Sequence, residues 1–340
     1  MTKRRVSLKD IASQLGVSVS TVSRALKDHP DLSPAIIEKV KQLAAKWNYT
    51  PNPLAMGLLK QQTNTIGVVV PDIVTHFYSS IISGIEDIAK ANGYYIVISS
   101  SQESYKKEKE NLNNLLNLRV DGLIVCLAQE TTDYTHYDSI IEAEIPLVFF
   151  DRVCRTEEVS SVVIDNVEAA KELTIHLYKH GARRIAHIAG PSFLNITKER
   201  IEGYRKGLQL CGLTFDQNLL VHTNMSIEGA AVATNKLLSL KYPPDAIFGV
   251  NDTVIFSAMK EIKRKGLKIP DDVALVGFTD EFHATVVEPN LTAITHPTFE
   301  IGQEAARLLL NEIKSDKART VQQISMQAKL IERESSVKLK

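Results

Sequence analysis

The sequence predicts a small all-α helix-turn-helix head followed by a larger α/β body whose parallel sheets form two lobes. Three observations predict it. Residues 8–47 carry three apolar stripes at helical spacing, broken by a glycine turn and by a Ser-Pro helix start. From Ile66 onward, short apolar runs alternate with amphipathic segments, the pattern of buried parallel strands joined by helical returns. The chain has 340 residues, more than the roughly 250–300 that one hydrophobic core usually serves.

In the head, Leu8, Ile11, Ala12 and Leu15 have the spacing of one helix face, and Gly16 can turn the chain tightly. Ser18 is a good N-cap for a second helix that buries Val22, Ala25 and Leu26. Around Thr21, its other side carries Val19, Ser20, Ser23 and Arg24. Small residues let a backbone approach base edges, hydroxyls serve either base type, and arginine can fork onto guanine. An ordinary helical hairpin with a polar face would read similarly, and the flanks decide between them. Ser33-Pro34 opens a third helix striped by Ile36, Ile37, Val40, Leu43, Ala44 and Trp47. Residues 1–62 hold ten Lys/Arg against four Asp/Glu, a net of +6, so the other 278 residues carry 30 against 36, a net of −6. A basic head on an acidic body is the footprint expected when only the head meets phosphate. Arg24 is expected to read a base, while Lys3 and Lys41 are expected to meet phosphates.

The run L-K-D-I-A-S-Q-L-G-V-S-V-S-T-V-S-R-A-L, then Tyr49-x-Pro51-Asn52, an Ala55-containing segment and Thr65-Ile66-Gly67, resembles the lactose-repressor/galactose-repressor (LacI/GalR) family along the whole chain. The resemblance implies a transcriptional regulator, expected to be a repressor, with a periplasmic-binding-protein-like body whose two lobes are joined by three crossovers. It implies a homodimer on a near-palindromic double-stranded operator, controlled by a small-molecule effector, expected to be a sugar or sugar derivative. No cofactor and no metal are implied. The expected division is a DNA-binding domain over residues 1–50, a hinge over 51–63 and an effector-binding and dimerisation domain over 64–340. Within the last, one lobe is expected over about 64–160 plus 292–322 and the other over about 161–291 plus 323–340.

Residues 51–62 form a distinct unit in which Asn52 caps, Pro53 begins and Lys60 ends a two-turn helix. So short a helix should not persist alone in water. In the family such a hinge forms on DNA and its leucine wedges into the minor groove; the matching position is Leu58, with Asn52 and Ala55 beside it. The sequence departs from the family at Lys27, Ile37 and Leu59, and the last of these leaves both Leu58 and Leu59 open as the wedge.

In the body, strands are expected at 66–70, 95–99, 122–127 and 146–150, then at 161–164, 185–189, 219–222, 246–250 and 273–277. A last stretch holds a strand at 291–295, a helix at 299–313 and one strand at 324–331. Parallel sheets bind ligands beyond the carboxyl ends of their strands. Reading the residues there gives Asp72, Phe77, Tyr78, Asp151, Arg152, the loop from Pro191 to Arg200, Asn251, Asp252, Thr279 and Asp280. Aromatic faces, carboxylates, an amide and an arginine suit a small polar ligand. The family pattern falls on Phe77, Tyr78, Asp151, Arg200 (in R-x-x-G-Y), Asn251 and the Thr279-Asp280 region, where Asp280 is the neighbouring candidate for the carboxylate and its taking that role stays open. Relatives carry an aspartate where Thr279 stands and often a stacking ring where Met225 stands. Each position also has a plainer reading: Asp151 and Asp252 as helix caps, Arg200 paired to Glu199 or Glu202, Phe77 as core.

Two rival classes use the same cleft, an α/β enzyme and an exported solute-binding protein. Against the enzyme, the sequence holds no G-x-G-x-x-G after a strand, no phosphate-binding G-x-x-x-x-G-K-S/T, no H-E-x-x-H and no G-x-S-x-G. Its nine histidines read as scattered, without close ligand spacing. Against export, no apolar signal core follows the basic first residues, and no apolar run is long enough to span a membrane. Three scattered cysteines fit a reduced cytoplasm. The reading is therefore a cytoplasmic, non-enzymatic regulator.

Overall fold

The computed structural model describes residues 6–49, 62–278, 281–315 and 320–337. The chain divides into two compact units, Met1–Thr63 and Asn64–Lys340. The first holds α1 (Leu8–Leu15), α2 (Val19–Ala25) and α3 (Pro34–Lys46). Helix α1 starts with a capping box missed in the sequence: Asp10 N donates to Ser7 Oγ at 3.3 Å and Ser7 N to Asp10 Oδ2 at 2.8 Å. It ends at Gly16, whose φ of 63° is left-handed, so the turn uses the freedom only glycine has there. Ser33 stands at the N-cap of α3 with Pro34 next, but its side chain makes no capping bond. Ile11, Ala12, Val22, Ala25, Val40 and Ala44 bury together as the core of the three helices.

The second unit contains two six-stranded sheets of matching order. The first runs β11 (Gln323–Met326), β5 (Ser160–Ile164), β4 (Leu147–Phe150), β3 (Gly122–Val125), β1 (Thr65–Val70) and β2 (Tyr95–Ser100), all parallel. The second runs β12 (Lys329–Ile331), β10 (Thr292–Thr295), β9 (Ala274–Phe278), β8 (Ala246–Gly249), β6 (Ile185–Ala189) and β7 (Leu220–His222). Only β12 is antiparallel to its neighbour. The helices of this unit are α4 (His76–Ala91), α5 (Tyr105–Asn117), α6 (Asp138–Glu142), α7 (Asn166–Lys179), α8 (Asn195–Leu210), α9 (Ile227–Leu238), α10 (Asp252–Arg264) and α11 (Thr298–Lys314). A 3₁₀ turn over Thr135–Tyr137 leads into α6.

Three strand placements differ from expectation. Strand β5, expected to open the second lobe, pairs with β4 in the first sheet, Val148 opposite Ser160. The nine-residue link 151–159 carries no helix, which in the sequence looks like a boundary. Strand β10, expected with the first lobe, pairs with β9 in the second sheet. The single strand expected over 324–331 is two strands: β11 completes the first sheet, Gln327-Ala328 cross over, and β12 edges the second. The chain thus passes between lobes near 165, 296 and 327, which is the three-crossover arrangement.

Helix pairs close one face of each lobe by nearly touching backbones. A Cβ on Gly302 of α11 would lie 2.0 Å from Ile81 O of α4, and one on Gly203 of α8 would lie 2.2 Å from Val167 O of α7. Among the described residues, no helix is long and apolar enough to cross a membrane.

Candidate functional site

On the head, Ser18 caps α2 by accepting from Thr21 N at 3.1 Å. Its Oγ also lies 2.7 Å from Ser20 Oγ and 2.8 Å from Thr21 Oγ1, so these hydroxyls form one cluster at the helix start. Val19, Ser20 and Arg24 are exposed, Thr21 and Ser23 half-buried, and Val22 and Ala25 fully buried, so one face of the helix is left outward. The Arg24 guanidinium makes no hydrogen bond or ion pair among the described residues. Lys41 is different from its expected role: its Nζ donates to both carboxylate oxygens of Asp28, at 2.6 and 2.7 Å. Lys3, Asn52, Ala55, Leu58 and Leu59 lie outside the described residues.

In the larger unit, a cavity of about 350 Å³ opens beyond the carboxyl ends of both sheets, within the common range for small-ligand sites, roughly 300–1,000 Å³. Five of the six expected residues line it: Phe77, Tyr78 and Asp151 from one lobe, Arg200 and Asn251 from the other. Asp280 and Thr279 lie outside the described residues.

Arg200 is the most constrained of these. It is buried on α8, donating Nε–H to Asn166 Oδ1 at 2.9 Å and Nη1–H to Val250 O, with its guanidinium carbon 3.7 Å from the centre of the Phe278 ring. Neither suggested acidic partner holds it, since Glu199 accepts from Asn166 Nδ2 at 2.8 Å and Glu202 pairs with Lys206 at 2.7 Å. Burial lowers its pKa to about 10, with Asp151 and Glu199 opposing, so it stays cationic near neutrality. Asp151 sits just after β4 with a φ of 58°, a left-handed conformation and not a helix cap. Burial raises its carboxyl, while Arg152 and Arg200 pull it back. The carboxylate and the guanidinium thus come from opposite lobes and feel each other across the cavity.

The aromatic edge is Phe77, packed edge-on to Tyr78 at 5.0 Å and to His296 at 5.4 Å between ring centres. Phe77 is half-buried, so the core reading and the lining reading both hold for it. Tyr78 is buried, and its hydroxyl accepts from the Cys126 thiol at 3.9 Å. Asn251 caps α10 through Oδ1, accepting from Val254 N at 3.0 Å, and among the described residues its amide N–H groups have no hydrogen-bond partner. Asp252 is not the cap, since Asn251 holds that position; it opens α10, and its Oδ1 accepts from Thr253 N at 2.7 Å. Arg152 is occupied by Glu103, Nη1 to Oε2 at 2.7 Å.

The lining residues that went unread in the sequence include Glu103, Gln129, Asn224 and His296. These four follow strands, β2, β3, β7 and β10, so the rule that found the others would have found them. Gln129 Nε2 donates to Asn224 O at 3.0 Å, a hydrogen bond from lobe to lobe. His296 sits at the second crossover, and burial, helped by Arg200, lowers its pKa to about 3, leaving a neutral ring.

Residues 7–52 match the family profile described as bacterial regulatory proteins, lacI family, and residues 63–334 match that of periplasmic binding proteins and sugar binding domain of LacI family. The HTH-type transcriptional repressor CytR of Escherichia coli (strain K12) is 32% identical over 311 residues, covering 91% of this chain and 90% of that protein. Among solved structures, the lac repressor dimer bound to operator and the anti-inducer ONPF matches with a TM-score of 0.84 at 26% identity, over 98% of this chain and all of that one. The complex of transcriptional regulator CelR with cellobiose matches with a TM-score of 0.74 at 30% identity, over 97% of this chain and all of that one.

Proposed function

Since the chain belongs to the LacI family of bacterial regulatory proteins, we propose that it works in the cytoplasm as a homodimer on a near-palindromic operator, its affinity set by a small polar effector. The effector class is a sugar or sugar derivative. The protein is a sequence-specific DNA-binding transcriptional regulator and not an enzyme. On this reading Ser18, Val19, Ser20, Thr21, Ser23 and Arg24 form the DNA-reading face. Asn52, Ala55 and Leu58 join it on the family pattern, and Asp280 joins the effector contacts on the same ground.

The observation that carries the effector half is the meeting of Asp151 and Arg200, from opposite lobes, on one cavity. A polyol offers hydroxyls that donate to the carboxylate and accept from the guanidinium, and an apolar ring face that lies against Phe77. A ligand bridging both charges favours one relative orientation of the lobes, and it shifts operator affinity by no more than its differential affinity for the two orientations.

The test is a duplex-DNA gel shift with the full chain, followed by a thermal-shift screen of mono- and disaccharides and their phosphates. Asp151→Asn and Arg200→Ala are expected to bind operator without responding to the sugar found. A normal response in both variants would place the effector elsewhere.

A further inference from the structure

We propose that the second lobe carries a divalent transition-metal site, of the zinc class, formed by His176, His180 and Glu332. It lies apart from the effector cavity, whose lining includes none of these residues. His176 and His180, read in the sequence as scattered, in fact stand four apart on one helical face at the end of α7, a ligand spacing that reading overlooked, and Glu332 directly follows β12. Among the described residues these three form the one group whose imidazole and carboxylate ligand atoms converge, all within 4.8 Å of one another. Two nitrogens and an oxygen are a zinc donor set with a position left for water or an external ligand.

The outer contacts favour this reading over a histidine that merely fills space. His180 Nδ1 lies 2.9 Å from His176 O, so that nitrogen is the donor and Nε2 keeps its lone pair. His176 Nε2 lies 2.7 Å from Ser336 Oγ, which in turn is 2.6 Å from Thr292 Oγ1. With Nε2–H donating to that hydroxyl, Nδ1 presents its lone pair toward Glu332 Oε1, 3.2 Å away. Each ring thus has one nitrogen on a carbonyl or hydroxyl, which leaves its other nitrogen for a metal, the outer-shell arrangement typical of metal-ligating histidines.

Ligand atoms around zinc at about 2.0–2.2 Å lie roughly 3–3.6 Å apart. The half-exposed His180 and the exposed Glu332 side chain must therefore rotate inward, while buried His176 stays in place. Metal-free, the other tautomer is also available, with Nδ1–H donating to Glu332 Oε1 and Nε2 accepting from the Ser336 hydroxyl; binding shifts the ring's one proton to Nε2, so the ring stays neutral. The metal would clamp the end of α7 to the segment that returns after the last crossover.

The experiment uses the untagged full chain, stripped of metal. Equilibrium dialysis against Zn²⁺ should find one equivalent bound, Co²⁺ should give a visible d–d absorption band, and Zn²⁺ should raise Tm. His180→Ala and Glu332→Gln, both at the rim, should fold normally and weaken Zn²⁺ binding by about tenfold or more, abolishing the Tm rise. His283→Ala, elsewhere in the same lobe, should bind as the parent does. Failure to bind an equivalent, or unchanged binding in the two rim variants, would overturn the proposal.

Discussion

At the scale of single residues, the two readings of Arg24 separate in one measurement. The exposed side chain lacks an intramolecular partner among the described residues, so it is free to fork onto a base edge. Arg24→Ala should weaken operator binding by about 1–3 kcal/mol while leaving random DNA nearly unaffected. Equal losses on both would reduce Arg24 to a phosphate contact. His187 offers a test of a different kind. It is fully buried, stacked 4.1 Å from Phe248, and burial lowers its pKa to about 3. A histidine whose folded pKa lies below its unfolded value of about 6.5 contributes stability that is fully present above 6.5 and is lost as pH falls toward 3. The slope is about 1.4 kcal/mol per pH unit for one such group. His187→Phe should flatten the decline of Tm between pH 6.5 and 5, with His296 sustaining what remains; a parallel decline would refute the assignment. The sequence named Asp151 and Arg200 but could not say what holds them. Arg200 depends on Asn166, 34 positions away, and on Val250 O, 50 away, partners that only the folded sheets bring near.

At the scale of elements, periodicity was legible almost everywhere, because buried parallel strands and amphipathic helices leave different spacings. Where elements go was less legible. Nothing in the text of Ser160–Ile164 says that β5 pairs backward with β4, since sheet membership is settled by pairing across distance. The run 324–331 reads as one strand because both of its halves pack against apolar cores, yet they serve different sheets. Helix crossings leave a sharper trace. Glycine inside α11 costs that helix about 1 kcal/mol relative to alanine, but the approach to α4 leaves no room for a methyl group at Gly302. Gly302→Ala should therefore destabilise the larger unit by about 1–3 kcal/mol, against the sign that helix propensity alone gives. Urea unfolding checks this, and a higher midpoint in the variant would mean the crossing is looser than it is drawn.

At the scale of the whole molecule, the cleft is where lobe orientation becomes chemistry. The Gln129–Asn224 hydrogen bond exists only while the lobes stand close. Gln129→Ala should weaken the effector by roughly two- to tenfold, the worth of one net hydrogen bond, without altering DNA binding by effector-free protein. Calorimetry with a sugar found by the thermal-shift screen measures it, and unchanged affinity would show that this bond plays no part in closure. The three crossovers carry a further consequence, for synthesis. Neither sheet is made from one continuous segment: β11 finishes the first and β12 the second, and both come after residue 322. A growing chain therefore reaches Leu291 with five strands of the first sheet and four of the second made, each sheet still with an open edge. Strands β5 and β9, which lie inside the finished sheets, therefore keep one side unpaired on the ribosome until residues 292–331 emerge. Each lobe is closed by the same short tail, so the two should become resistant to protease together, late and within a few residues of translation.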